Sequence, residues 1–522
     1  MRTTLAELHG RRFDVAVIGA GINGAAAAQE LAAAGYRVVL LDKADYGAGS
    51  SSRSTRLVHC GLRYLAPGGS PYEFLWNPGR LLTALKMTRK AMAARAEFVT
   101  VAPARARKLT LGFPVWDDMP VRPWHVDLAL RTVEALGPRQ VPLERRLFRR
   151  SELGSVPLFS QVRDQHKLLA VNAFSEYQFN WPERVLMDMV LDAERMGAVC
   201  RNYSPVTALS RGSEDSWLLT VTDARGEEGN AILEASLVLN TAGIWIDQVS
   251  KLGSMQPKRR ILGTKGAHIV FKLPPEYADQ GVISFNRNMD EPIYLVPWRS
   301  GLHYMGVTET VYEDDIDDIR ASADDVEWLL GEFNHLCPGL AIDRNQILST
   351  WAGVRPLTHD PAQPKGARSR EIHDLTSDGM PNVLAVTAGP LTTHRSAGKE
   401  LCAAVAARID GSGQRQIPDY GARPIGLDSS SPALLNHYDG VRVADVVRVA
   451  STEHVVSLTD LMTRRLGLVW TETCGREGAR RAAEEVAKTL GWDERRTADE
   501  ITDFLAYLER YHAVPEQQLS PP

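Results

Sequence analysis

The sequence predicts an α/β protein with a mixed-sheet domain interleaved into it and a C-terminal α-helical domain after it. Three observations point that way. Close to the start, "VAVIGAGINGAAAAQELAAAGYRVVLLDK" (Val15 to Lys43) reads as strand, glycine turn, helix and second strand. Beyond Arg150, short apolar runs alternate with turns, a pattern of sheet rather than helix. From about Arg442 to His512 the apolar residues return at spacings of three and four, as on one face of a helix.

The opening unit can be read residue by residue. Val15, Ala16, Val17 and Ile18 form the continuous apolar run of a parallel strand buried on both faces. Gly19, Gly21 and Gly24 follow at the G-x-G-x-x-G spacing, with Asn23 inside the same turn. Such glycines let the chain turn tightly, bring backbone up to a pyrophosphate and pack helix on strand. Ala25 to Ala34 is alanine-rich, a strong helix former whose positive N-terminus would face the phosphates. Gly35 ends the helix, Arg37 to Leu41 supplies the next strand, and Asp42 closes it where an acid bonds the adenosine ribose. The unit is Rossmann-like and predicts a bound adenine dinucleotide. By itself it leaves open whether a nicotinamide or a flavin is held.

A chain of 522 residues exceeds one core and implies two or three domains. Hydrophobic residues at 44% and charged residues at 24% describe an ordinary globular protein. A formal charge of −4, from 60 basic and 64 acidic residues, gives no reason to expect nucleic acid as a partner. Basic residues do cluster, within Arg80 to Lys108 ("ALKMTRKAMAARAEF") and within Arg145 to Arg150 ("LERRLFRR"). Such stretches suit either an anionic membrane surface or helices that cover a core. The five cysteines, Cys60, Cys200, Cys337, Cys402 and Cys474, are odd in number and include no C-x-x-C pair. That argues against a disulfide framework and a structural zinc site, and no metal is expected. No apolar run nears the roughly 18 residues of a spanning helix. A buried strand beginning at Phe13 comes too early for a signal peptide to precede it. The expectation is an intracellular chain that spans no membrane.

Further along, "ASLVLNTAGIWID" (Ala235 to Asp247) and the stretch Met380 to Ile409 repeat the strand, glycine, helix grammar, with Gly243 and Gly389 at the turns. Strand-like runs such as Trp217 to Thr222 and His268 to Phe271 lie between the outer units. The domain expectation is a discontinuous dinucleotide-binding domain over 1–409, with a substrate part inserted at about 66–230 and 255–370. A polar linker rich in Gly, Ser, Pro and Asp covers 410–439, and a helical domain covers 440–522. There, Thr497 followed by Glu500 reads as a capping box opening the last helix.

Together these pieces resemble the FAD-dependent glycerol-3-phosphate dehydrogenases, a branch of the D-amino-acid-oxidase-like flavoproteins. "VIGAGINGAAAA" looks like the family's FAD cradle and "SSSRSTRLVHCGLRYL" like its flavin and substrate loop. "KGAHIV", "MGVTET", "WAGVRPL", "LTTHR" and "SLTDLMTRRLGL" follow in family order, so the resemblance spans about Phe13 to Leu505. It implies a flavin: FAD, non-covalent, with Gly19, Gly21, Asn23, Gly24, Asp42, Ser51, Ser52, Gly243, Gly389 and Thr392 at the cofactor. It further implies oxidation of sn-glycerol 3-phosphate to dihydroxyacetone phosphate, with hydride passing to flavin N5 and electrons on to a quinone. A lipid-soluble acceptor in turn implies a cytoplasmic enzyme held peripherally on the inner face of the cell membrane. Oligomeric state is left open, a homodimer among the options.

Such chemistry needs a cationic pocket for the phosphate, a base for the hydroxyl proton and an electron acceptor. Arginine's planar fork suits the first, and by resemblance Arg63, Arg355 and Arg370 hold the phosphate, with Arg368 able to take the place of Arg370. His268 and His59 match family histidines near the flavin, and an imidazole titrating near neutrality accepts a proton at working pH. His268 is the first choice of base. Tyr64 and Thr392 are expected at the substrate, while the hydroxyls of Ser51 and Ser52 are expected at FAD.

The chain also departs from the family. "AGPLTTHR" has Pro390 where a lysine is usual and His394 where a tyrosine is usual. "HCGLRY" carries Cys60 in place of a glycine, and "APGGSPYEFLWNPGR" (Ala66 to Arg80) is longer than the usual connection. Pro390 removes a hydrogen-donating cation. Two other readings therefore stand beside the first: the same machinery acting on another polyol phosphate or on an amine or amino acid, and a flavin-binding protein whose catalysis has decayed.

Overall fold

The computed structural model describes residues 2–65, 78–213, 215–254, 256–426 and 428–516. Most of the long Ala66–Arg80 connection lies outside the described residues. The strand Arg12–Ile18 sits inside a largely parallel sheet. Val38–Leu41 and then Val199–Arg201 flank it on one side; Asn230–Asn240, Val383–Thr387 and Glu371–Asp374 follow on the other. Val15 pairs with Val38 and with Leu237, and every residue from Phe13 to Ile18 is buried. The continuous apolar run thus reflects cover on both faces.

On one face the helices Ile22–Ala33, Pro182–Arg195 and His394–Ala406 pack into a common core. Ala25 to Ala28 are all buried, and their small side chains let neighbouring helices come close. The closest approach is at Gly398, where a Cβ would stand 2.6 Å from the Ala26 carbonyl oxygen. The opposite face is closed by the antiparallel strands Val206–Arg211 and Trp217–Thr222, which bring Leu209, Trp217, Leu219 and Val221 onto Phe13, Ala16 and Ile18.

A second sheet of eleven strands faces this unit. Its long members are Ala106–Trp116, Leu168–Phe179, Ile261–Lys272 and Ile347–Asp360. Neighbours run antiparallel except where Gln280–Phe285 lies parallel to Ala106–Trp116. Ile261–Lys272 and Ile347–Asp360 pair along their whole length, setting His268 opposite Trp351 and Thr264 opposite Arg355.

The C-terminal helices Val443–Thr452, Ala479–Leu490 and Glu494–Tyr511 pack through buried Val446, Val449, Ala482, Val486, Phe504 and Leu508. The last helix opens earlier than Thr497: Asp493 is the cap, its carboxylate accepting the Arg496 amide at 2.7 Å. The αL residue Gly491 ends the preceding helix two residues earlier, so the chain must restart at once and Thr497 falls inside the first turns. The polar stretch before this region is tied down in places. Gly413 and Gln416 donate backbone bonds to Gly35 and Ala33, and a small hairpin pairs Ala433–Leu435 with Tyr438–Arg442. All five cysteines are free thiols. No helix among the described residues is long and apolar enough to cross a membrane.

Candidate active site

A cavity of about 1100 Å³ runs between the two sheets. One end is built almost wholly from backbone. Gly19 has φ +99°, and a Cβ there would lie 2.7 Å from the Ala242 Cα. At Gly24 a Cβ would fall 1.9 Å from the Gly19 carbonyl oxygen, so helix and strand can meet only through glycine. Gly21 and Asn23 line the cavity, and the buried Asn23 Oδ1 has no hydrogen-bond partner among the described residues. Ser51 also lines it, its Oγ accepting the Ile22 amide at 2.9 Å across the helix N-terminus. The Asp42 carboxylate accepts the amides of Ala20 at 2.6 Å and Ala44 at 2.9 Å. Burial outweighs those bonds and pushes its pKa up to about 6. Gly243 and Gly389, with φ +58° and +91°, turn the chain at the cavity wall.

These features fit an adenine dinucleotide: an amide-lined turn at a helix N-terminus for the pyrophosphate, an acid for the ribose and an orphaned side-chain oxygen. Ser52 does not share in it. Its hydroxyl donates to the Gly49 carbonyl at 3.2 Å and it lies outside the cavity lining, because the short 3₁₀ turn Ser50–Ser52 faces successive side chains in different directions. Ser50 lines the cavity instead, its hydroxyl donating to the Val354 carbonyl.

The other end is built from side chains. His268 Nε2 lies 3.1 Å from Thr55 Oγ1, and its ring stacks on Trp351 at 4.3 Å. Gly306 stands directly across the sheet, where a Cβ would come within 2.2 Å of the imidazole. Burial, reinforced by Arg355 and Arg56, holds this imidazole well below its ordinary pKa, and it is neutral at physiological pH. His59 is lowered to about 4 by burial, with Arg63 and Arg368 adding to it. Its Nδ1 has no partner among the described residues, and its ring meets Tyr64 edge-on at 5.7 Å.

Arg63, Arg355 and Arg368 all line this end. Arg63 donates to Glu291 and Glu309, each at 3.0 Å, and Arg368 donates to Glu309. Arg355 Nη1 has no partner among the described residues, and burial lowers its guanidinium to about 10, partly opposed by Glu309. Burial would raise Glu309, but Arg368, Arg355 and Arg63 overcome that and hold its carboxyl at about 2. Three guanidinium groups thus gather around Glu309, and Arg355 brings to the cavity a donor suited to an anion.

Several expectations meet a different geometry. Arg370 is outside the cavity, its Nε and Nη2 donating to Glu400 at 3.0 and 2.9 Å and its Nη1 to Thr393. The strand Glu371–Asp374 begins just after it and carries it to the helix His394–Ala406, so Arg368 is the residue that reaches the pocket. Glu291 and Glu309 were not assigned from sequence; a glutamate inside the quoted "MGVTET" was the one available signal. Pro390 and Thr392 line the cavity, whereas His394 is buried away from it, its Nδ1 2.9 Å from the Leu391 carbonyl oxygen and its ring near Phe98. Of the two changes in that loop only Pro390 meets the site. Cys60 lines the cavity with its amide held by Glu176 at 2.7 Å. Burial pushes its thiol well up, so it stays protonated.

A glycine-turn cradle for an adenine dinucleotide, set against a mixed sheet that carries polar chemistry, fits a dinucleotide-dependent oxidoreductase of Rossmann-like build. The FAD dependent oxidoreductase (DAO) family model matches residues 14–404, and the chain belongs to that family. FAD is its cofactor. The chain is 25% identical to a glycerol-3-phosphate dehydrogenase of Synechocystis sp. over 98% of both proteins. Among solved structures it superimposes on the glycerol-3-phosphate dehydrogenase from Bacillus halodurans complexed with FAD, with TM-score 0.72, 20% identity and 98% of both chains covered. Glycine oxidase from Geobacillus kaustophilus shares the fold at TM-score 0.54 and 19% identity, over 77% of this chain and 97% of that one.

Proposed function

We propose that this chain oxidises sn-glycerol 3-phosphate to dihydroxyacetone phosphate and passes the electrons to a quinone. The observation that carries the reading is the cluster of Arg63, Arg355 and Arg368 in the same cavity as His268 and the dinucleotide cradle. The similar Synechocystis protein supports the choice of substrate. Arg355 and Arg368 bind the phosphate, with Glu309 keeping Arg63 and Arg368 in place. His268, neutral and buried, takes the hydroxyl proton on its ring while Thr55 steadies Nε2. The phosphate dianion itself raises the proton affinity of the nearby imidazoles. When bound, FAD supplies the acceptor for the hydride that leaves the carbinol carbon. Anaerobic titration of the holoprotein with sn-glycerol 3-phosphate tests this: the visible flavin absorption bleaches, and a flavin that stays oxidised overturns the reading.

A second reading, an amine or amino-acid substrate, is favoured by Pro390 in place of a cation and by Glu291 and Glu309 in the pocket. Arg355→Ala separates a phosphate from a simple amine, because a substrate without an anionic group barely loses affinity.

The acceptor reading includes peripheral attachment to the cell membrane, and the surface that supports it is specific. Within the basic stretch from 80 to 108, Arg95 pairs with Glu176 and Arg105 with Asp188, all buried, while Arg80, Lys86, Arg89, Lys90 and Lys108 are exposed. The second stretch carries more exposed apolar surface. Leu147 and Leu169 are 43% and 42% exposed beside Arg149 and Arg150, and Trp124 and Leu128 follow Pro123 at 61% and 55%. An exposed indole among leucines and arginines suits an anionic lipid interface. Trp124→Ser with Leu147→Ser should abolish co-sedimentation with vesicles containing phosphatidylglycerol. If the patch instead joins two copies in a homodimer, the same pair of changes shifts the sedimentation coefficient and leaves vesicle binding as it was.

A further inference from the structure

The C-terminal motif "SLTDLMTRRLGL" supplies nothing to the cavity directly: among the described residues, none that lines it lies beyond Thr392. Its two arginines nevertheless reach the nucleotide-binding unit. Leu461–Arg465 is a widened π-helical turn, and from it consecutive Arg464 and Arg465 converge on one carboxylate, that of Asp45. Arg464 Nε donates to Oδ2 at 2.5 Å, and Arg465 donates through Nη1 to Oδ2 and through Nη2 to Oδ1, each at 2.7 Å. Asn202 adds a fourth bond to Oδ1 at 2.8 Å. Arg464 also pairs with Asp460 at 2.8 Å, and the Tyr203 hydroxyl donates to Asp460 at 2.6 Å. Asp45, Asp460 and both arginines are buried.

Asp45 is three residues past Asp42, the acid placed for the ribose. The Ala44 amide between them donates to the Asp42 carboxylate at 2.9 Å. The same short loop is stitched to its surroundings by Ser204 N–H to the Asp42 carbonyl at 2.6 Å and Tyr203 N–H to the Ala44 carbonyl at 2.9 Å. Gly47 N–H donates to the Ala20 carbonyl at 3.0 Å, joining the loop to the glycine turn. The loop therefore has one face on the cavity, through Asp42 to Ser51, and one on the C-terminal helices, through Asp45. A buried carboxylate stripped of its cations would be costly, so Asp45 stays inward only while Arg464 and Arg465 are docked. Buried ion clusters of this kind contribute little net stability but specify an arrangement.

We propose that Arg464 and Arg465 are positioning residues for FAD: by clamping Asp45 they hold the Asp42–Ser51 loop in the shape that presents Asp42 to the ribose, and docking of the C-terminal helices and retention of FAD are coupled. Coupling of this kind is reciprocal, so FAD also holds those helices in place.

The test uses the full chain stripped of FAD and titrated with FAD, following quenching of flavin fluorescence. Asp45→Asn and Arg465→Met should weaken FAD by about 5- to 100-fold, the range of typical site coupling, with Arg465→Lys between them and wild type. Leu219→Ala, which removes buried volume from the outer strands without touching Asp45 or the C-terminal helices, should lower the melting temperature and leave the FAD Kd as it was. A Kd within twofold of wild type in folded Asp45→Asn and Arg465→Met overturns the proposal, as does an equal loss in Leu219→Ala. If the buried variants do not fold, wild-type hydrogen exchange decides. FAD should protect 443–511 more than the outer strands 206–211 and 217–222, and uniform protection across both overturns the coupling.

Discussion

The two ends of the cavity are made differently. The cofactor end is drawn mainly from one stretch, Gly19 to Ser51, closed by the turns at Gly243 and Gly389, and works largely through backbone amides and the close approach that glycine permits. The substrate end draws Arg63, His268, Glu291, Glu309, Arg355 and Arg368 from six strands or connections of the second sheet and works through charge. Local geometry binds the part of the ligand common to a whole family. Long-range assembly binds the part that differs.

The largest expected effect breaks the backbone end. Gly24→Val places atoms where even a Cβ would stand 1.9 Å from a carbonyl oxygen, and the purified protein should carry no FAD, read as loss of the 450 nm flavin band. Next, Arg355→Ala attacks the charged end alone. A charge-assisted hydrogen bond contributes about 1.5–3 kcal/mol, so the two bonds of a guanidinium fork should raise the KM for sn-glycerol 3-phosphate by roughly 10²-fold or more while FAD content stays normal. An FAD loss in that variant would mean the two ends are not independent.

A smaller effect comes from acid. His59, His303 and His394 are each lowered to about 4, burial being the main cause. Unfolded, they titrate near 6.5, so between pH 6.5 and 4 the unfolded chain binds more protons and stability falls as pH falls. The raised Asp42 opposes this in part over the same window. The melting temperature should therefore drop on acidification below pH 6.5, and His394→Asn should flatten that slope without changing substrate affinity. The smallest effect is expected at Arg370. Because it is spent on Glu400 and Thr393 outside the cavity, Arg370→Ala should move the KM by less than about threefold, whereas Arg368→Ala should move it by roughly tenfold.

Much of the cofactor end was legible because its rules are local. The spacing of Gly19, Gly21 and Gly24 follows from sterics between residues within a few positions of one another, and the alanine helix and Asp42 follow from the same unit. The charged end is legible only through resemblance, which offers Arg370 with Arg368 as its replacement, and the cavity is lined by Arg368. Two arginines two residues apart point to different places once a strand begins between the second of them and the helix beyond. Glu291 and Glu309 escaped notice because a glutamate in a loop is by default a solvated surface residue, and nothing nearby in sequence announces the arginine it meets. Thr497 shows the same limit at short range: Thr and Glu at capping-box spacing are common inside helices, and Gly491 with Asp493 decided where the last one starts.

By itself, then, the sequence determined that a dinucleotide cradle opens the chain, that mixed sheet and helices follow, and which residue types were available for chemistry. Tertiary structure alone decided which of those residues share a cavity. It turned Ser52, Arg370 and His394 away, balanced three arginines with two glutamates, and brought Arg464 and Arg465 onto Asp45 across more than four hundred residues of chain. The reason is physical: steric and propensity rules act between neighbours, whereas a buried charge is placed by whichever partners the packed sheets and helices carry to it.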